Sequence, residues 1–149
     1  MCSPIKPDNK LADKLYSMNV LNIDYYKYTM KALKALIIDD EIDICYLLSG
    51  LLTHRKIEAD YATSIADAKE VLEKHKPEII FLDNRLPDGK GIDFAGYIKK
   101  IHPDVKLAMI TAYDTSADRN MALSRGIDYF VGKPFTRDKI YETVDDMLC

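Results

Sequence analysis

The sequence predicts an α/β protein built on a doubly wound parallel sheet, and three observations carry that expectation. From Leu33 onward, short apolar runs alternate five times with amphipathic stretches. Three of those runs are almost wholly apolar, which is how a central parallel strand reads when helices cover both faces. Polar groups of a particular kind follow the runs: Asp39-Asp40, Asp83, Thr111 and Lys133-Pro134. In an open α/β sheet, ligands collect outside the carboxyl ends of the strands, so these groups point to one shared site.

The elements follow in order. The first run, Ala35-Leu36-Ile37-Ile38, leads into Asp39-Asp40, after which Ile44, Leu48, Leu51 and Leu52 share one helical face. A second run, Ile57 to Ala62, precedes a helix with Ile65, Ala68, Val71 and Leu72 on one side. Thr63 or Ser64 is placed to cap that helix. Pro77 and Pro103 punctuate the entries to the third run, Ile79-Ile80-Phe81-Leu82, and the fourth, Val105 to Ile110. Gly126 closes the fourth helix ahead of the last run, Ile127 to Val131. Thr136 then caps a final helix in which Ile140, Val144, Met147 and Leu148 repeat the pattern. Strands alternating with helices imply right-handed crossovers.

The 149 residues suffice for one ordinary domain. At 48% hydrophobic and 30% charged, the composition is globular rather than disordered. The net charge of -3, with no basic run, argues against a broad nucleic-acid-binding face. The longest apolar runs fall far short of the ~18 residues that a membrane span needs. The opening residues, MCSPIKPDNK, lack the apolar core of a secretory signal. Cys2, Cys45 and Cys149 are odd in number, far apart and without zinc-ligand spacing. Cys45 falls in an apolar helical pattern and reads as a core residue. A reducing, cytoplasmic setting is the natural expectation. Residues 1–31 stand outside the alternating pattern; they read as an N-terminal extension, flexible or holding one short helix on Leu11, Leu15 and Met18.

The chemistry lies in the polar groups at the ends of the runs. Side by side, two carboxylates ~5 Å apart repel by roughly 3 kcal/mol at an effective dielectric of ~20. Three together need a cation, or one must hold a proton. An all-oxygen, partly open cluster suits Mg²⁺. The plainer alternative is that Asp39 or Asp40 caps the first helix. Asp83 opens the segment FLDNRLPDGKG, whose glycines and Pro87 imply a tight, irregular loop projecting the carboxylate outward. An aspartate can attack phosphorus and form an acyl phosphate, although a lone one at a strand end is more often a turn residue. Lys133 offers a point charge and Thr111 a hydroxyl, the kinds of group that neutralise phosphoryl oxygens. A cis Lys133-Pro134 bond would aim the ammonium back across the site, though cis is the minority form in general.

The segments LIIDDE, FLDNRLPDGKG, MITAY and FVGKPF resemble those of the receiver domain of two-component response regulators, over about Leu33 to Leu148. The resemblance implies a (βα)5 flavodoxin-like fold with strand order 2-1-3-4-5, occupying residues 32–149. It implies that Asp83 is the phosphoacceptor, and that Asp39, Asp40, Asp83 and the backbone carbonyl of Arg85 hold Mg²⁺. Thr111 and Lys133 would then bind the phosphoryl oxygens, with Thr111 and Phe130 forming the switch. Phenylalanine at that last position keeps the ring of the commoner tyrosine but not its hydroxyl. Tyr129, next door, would face the other side of the sheet. Arg85 and Tyr113 hold variable positions that tune aspartyl-phosphate lifetime in the family. Lys90 stands where an acid is frequent.

The function expected on that resemblance is phosphorelay signalling by a single-domain response regulator. A histidine kinase or histidine phosphotransfer protein would supply the phosphoryl group, and an unknown downstream protein would receive the signal. Such a switch catalyses only its own phosphorylation and dephosphorylation and is not otherwise an enzyme. Two other classes compete. A pseudo-receiver would be an interaction module that takes no phosphate. A Mg²⁺-dependent phosphohydrolase would place a second acid two residues after the nucleophile, where this chain has Arg85.

Overall fold

A computed structural model describes residues 31–112 and 115–149. Five parallel strands form one sheet: β1 (Lys34–Ile38), β2 (Glu58–Ala62), β3 (Ile79–Asp83), β4 (Lys106–Thr111) and β5 (Tyr129–Gly132). They are joined by α1 (Ile42–His54), α2 (Ile65–Lys74), α3 (Gly91–Ile101), α4 (Ser116–Ser124) and α5 (Arg137–Met147). Across the sheet the order is β2-β1-β3-β4-β5, the flavodoxin-like arrangement expected. The chain adds β2 on one side of β1 and β3 on the other. The crevice beyond the ends of β1 and β3 is therefore the topological switch point, where such sheets bind ligands.

Strand alternation sends successive side chains to opposite faces, and each face receives its own helices. Leu36, Ile38, Ile80, Leu82, Leu107 and Met109 pack with Ala68 and Leu72 of α2, Phe94 and Ile98 of α3, and Ala122 of α4. On the other face, Ile37, Phe81, Ala108, Ile110 and Val131 meet Cys45, Leu48 and Leu52 of α1 and Ile140, Val144 and Met147 of α5. Phe81 is fully enclosed, and burial of a ring that size stabilises by roughly 2–3 kcal/mol. β2, an edge strand, is the least covered.

Local chemistry sets the helix ends. Ser64 caps α2 by accepting from the Asp67 N–H, and Thr136 caps α5 by accepting from the Lys139 N–H. Gly126 follows α4 at φ +94, a left-handed conformation that glycine enters at no steric cost. The plainer alternative for the acid pair does not hold: neither Asp39 nor Asp40 caps α1. Glu41 holds the N-cap position without its side chain capping the helix, and its own N–H donates to Asp39 Oδ1 at 2.9 Å. The segment after Asp83 is also more regular than expected. Arg85–Leu86 and Gly89–Lys90 form a short antiparallel ribbon, with Arg85 opposite Lys90 and Leu86 opposite Gly89.

Among the described residues, no helix is long and apolar enough to cross a membrane.

Candidate functional site

Four strand ends, with the loop after β3, build the site. Asp39 follows β1 while its N–H still bonds the Ala62 carbonyl at 3.1 Å, which holds its backbone in line and its side chain inside. Asp83 is the last residue of β3, Thr111 the last of β4, and Lys133 follows β5 directly. The Lys133 N–H donates to the Thr111 carbonyl at 2.8 Å, so β4 and β5 stay in register to their tips. The Lys133–Pro134 peptide is cis. Asp40, Asp83, Arg85, Thr111 and Lys133 line one hollow of about 300 Å³, together with Glu41 and Ala112. The predicted groups are therefore brought together at one crevice, with Asp39 lying beneath it.

The adjacent acids Asp39 and Asp40 differ sharply in environment. Asp39 is buried, whereas Asp40 is exposed at the rim. Lys133 Nζ lies 2.8 Å from Asp39 Oδ2, 3.1 Å from Glu41 Oε1 and 3.7 Å from Asp83 Oδ2. Three carboxylates thus share one ammonium. Asp39, Glu41 and Asp83 each offer an oxygen within 4.8 Å of the others. Glu41 is the member that sequence reasoning misses. An exposed acid beside two others carries no pattern of its own, and only the fold shows that its side chain reaches Lys133.

Electrostatics follow from that crowding. Burial pushes the Asp83 carboxyl up to about 6, and the charge of Asp39 adds to the rise. Lys133 and a hydrogen bond from the Arg85 backbone oppose it, and Asp40 contributes a smaller upward push. For Lys133, burial works against the charged form, but its hydrogen bonds to Asp39 and Glu41 outweigh this and raise its pKa. Cys45 is the core residue expected. Its Sγ donates to the Asp39 carbonyl at 3.2 Å, and burial, with the Asp39 charge, lifts the thiol to about 11. Such a thiol is unreactive at neutral pH.

The acidic cluster fits a small hard cation. All its donors are carboxylate oxygens, they converge on an open hollow, and a single ammonium leaves their negative charge uncompensated. The two rings of β5 divide as the alternation predicts. Tyr129 packs on the α1/α5 side and donates its hydroxyl to the Asp146 carbonyl at 3.0 Å. Phe130 packs half-buried on the opposite side, with the Arg119 guanidinium 5.7 Å from its ring centre. Tyr113, expected beside Thr111, lies outside the described residues.

The loop after Asp83 closes on itself. The Gly91 N–H donates to the Asn84 carbonyl at 2.9 Å, and the Ile92 N–H to Asn84 Oδ1 at 3.0 Å. A Cβ at Gly91 would stand 2.2 Å from the Asp83 carbonyl oxygen and 3.1 Å from Asn84 Cα, both backbone atoms with little room to yield. Gly91→Ala is therefore expected to destabilise the protein by about 2 kcal/mol or more, read from urea denaturation. A variant as stable as wild type would show that this close approach is not needed.

Comparison with known proteins agrees with this geometry. Residues 35–145 match the family model of the response regulator receiver domain. Among characterised proteins, the chain is 38% identical over 119 residues to the response regulator protein PilR of Pseudomonas aeruginosa, covering 80% of this chain and 27% of PilR. It is 36% identical to the sensory transduction protein LytT of Bacillus anthracis, covering 75% of this chain and 46% of LytT. The chain thus spans about a quarter to a half of the length of these relatives. A two-component response regulator from Clostridium difficile superposes with a TM-score of 0.75 at 28% identity, over 78% of this chain and 95% of that one. A CheY-like receiver domain from Methanospirillum hungatei shares the fold with a TM-score of 0.76 at 23% identity, over 79% and 94%. With five parallel strands in receiver order and a family match over most of its length, the chain belongs to the response regulator receiver domains, the signalling switches of two-component phosphorelays.

Proposed function

We propose that Asp83 accepts a phosphoryl group from a phosphohistidine donor, a histidine kinase or a histidine phosphotransfer protein. One Asp83 carboxylate oxygen forms a bond to phosphorus as the phosphorus–nitrogen bond breaks, and the departing imidazole keeps the electron pair. The observation that carries this reading is the convergence of Asp83, Lys133 and Thr111 on one open hollow beside a carboxylate cluster. Lys133 faces the oxygens that develop charge, and Thr111, lining the same hollow, offers a hydroxyl. Asp39, Asp40, Asp83 and the Arg85 carbonyl would hold Mg²⁺, with Glu41 near enough to join them. When bound, the ion supplies positive charge against the carboxylates and the incoming phosphoryl oxygens. Asp83 must be ionised to attack, and Lys133 helps keep it so.

Once phosphorylated, Asp83 would draw Thr111 towards it and let Phe130 turn further inward. The α4–β5–α5 face would then change its presentation to a downstream protein. Ile42 and Tyr46, one turn apart on α1, offer exposed apolar contacts for the donor, and exposed Met121 on α4 offers one for the target. The receiver domain is assigned to residues 32–149, working in the cytoplasm. A pseudo-receiver would show the same fold without uptake of phosphate. Incubation with acetyl phosphate and Mg²⁺ followed by intact-mass measurement separates the two readings. Wild type is expected to gain one phosphoryl group and Asp83→Asn none; a wild type that gains nothing would refute the assignment.

A further inference from the structure

The loop that follows Asp83 is held at its tip by a part of the fold that takes no part in the site. Asp88 lies at the turn of the Arg85–Lys90 ribbon, and its carboxylate reaches the start of α2. Oδ1 accepts from the Ile65 N–H at 2.8 Å and Oδ2 from the Ala66 N–H at 3.0 Å. Ser64 takes the next amide, Asp67 N–H, at 3.0 Å. The first helical turn of α2 thus has its donors divided between a local cap and a residue 23 positions away. The bond to the Ile65 amide, then that to Ala66, holds the Asp88 carboxyl below the usual carboxylate range. Gly89, at φ +159, lets the ribbon pass so close to Ile65 that a Cβ there would meet Ile65 Cδ1 at 2.7 Å.

We propose that Asp88 is a positioning residue: it ties the first turn of α2 to the phosphoacceptor loop and thereby holds Arg85 in place beside Asp83. The ribbon offers few backbone bonds of its own, since only Arg85 with Lys90 and Leu86 with Gly89 are paired. An isolated two-stranded ribbon is marginal in water, so its order draws on its anchors, the bond from the Arg85 backbone to Asp83 among them. Asn84 anchors the base to α3, and Asp88 anchors the tip to α2. A charge-assisted bidentate bond to a helix N-terminus is a directional anchor even at the exposed surface where this one lies. The consequence is that α2, which contributes no residue to the hollow, is mechanically linked to the loop from which Arg85 faces it.

Ser64→Ala provides the control, because it weakens the same helix end without touching the ribbon. In metal-free full-length protein, Asp88→Ala is expected to speed amide exchange at Ile65, Ala66 and across Arg85–Lys90. Ser64→Ala should speed it at Asp67 and leave the ribbon unchanged. Asp88→Asn, which keeps one acceptor oxygen, should fall between wild type and Asp88→Ala. A second readout rests on the phosphoacceptor reading above. The Mg²⁺ concentration for half-maximal phosphoryl uptake from acetyl phosphate should rise about three- to ten-fold in Asp88→Ala, less than when a direct partner of a metal ligand is lost. The maximal uptake rate should change little, and Ser64→Ala should match wild type. Ribbon exchange and Mg²⁺ dependence alike in Asp88→Ala and Ser64→Ala would overturn the proposal. If wild type takes up no phosphate, the proposed function fails, and the exchange pattern still decides the tether.

Discussion

Lys133→Met is expected to destabilise the metal-free protein at pH 7.5 by about 3–5 kcal/mol, the range for removing one partner of a buried ion pair. Methionine keeps most of the aliphatic stem, so the loss reports charge rather than packing. The side chains of Lys133 and Asp39 are 13% and 2% exposed, which makes their 2.8 Å contact a buried pair. Glu41 adds little to this sum, because its carboxylate is 62% exposed and solvent screens it. The sign with pH is fixed by direction. The Lys133 pKa is raised in the fold, so its stabilisation is complete below the unfolded value of about 10.4 and is lost only above it. In the variant, the cost should shrink as the pH falls and the carboxylates take up protons. Urea titrations in chelator at pH 7.5 and pH 4.5 test both statements. A variant within about 0.5 kcal/mol of wild type, the ordinary range for a surface substitution, would show that the cluster does not depend on this lysine.

That same cluster shows where sequence reading succeeds and where it stops. The strands are legible because Leu36 to Ile38 and Ile79 to Leu82 are enclosed by helices on both faces, and only unbroken apolar runs satisfy that. Their limits move by a residue or two. β1 starts one residue before its apolar run, at Lys34, and β4 starts one residue into its run, at Lys106, and continues through Thr111. Asp39, Asp83, Thr111 and Lys133 can be placed at one site because strand ends in a doubly wound sheet share an edge. What stays hidden depends on contacts distant in sequence. The pair Asp39-Asp40 reads as two equivalent acids until the bond from Asp39 N–H to Ala62 turns one inward and leaves the other in solvent. Glu41 looks like any first-turn acid until Lys133, 92 residues later, arrives beside it. Asp88 sits in a turn-forming tripeptide, where local chemistry alone accounts for an aspartate. Only the packing of the ribbon against α2 reveals that it caps a helix to which it does not belong.

Asp83→Asn should move stability in the opposite direction from Lys133→Met. Folding raises the Asp83 carboxyl from its usual 3.8 to about 6, so ionisation is resisted in the native state and free in the unfolded chain. As pH climbs from about 4 to about 6, wild type therefore loses stability that an amide, with no proton to release, retains. At about 1.4 kcal/mol per pH unit, that interval is worth at most roughly 3 kcal/mol, with burial as the main cause. The variant should match wild type below pH 4, gain through the interval, and hold a constant advantage above pH 6. Thermal denaturation in chelator across pH 3.5 to 8 reads the difference. Added Mg²⁺ should narrow the gap at pH 7.5, because a cation favours the ionised carboxylate and the substituted amide lacks that ligand charge. An advantage that is already full at pH 4 would trace the gain to packing or hydrogen bonding and remove the electrostatic account of the site. Confirmation would mean that the carboxylate proposed to receive phosphorus is held there at a cost to the fold. Capture of a cation or a phosphoryl group would then relieve repulsion that the metal-free, unphosphorylated protein contains.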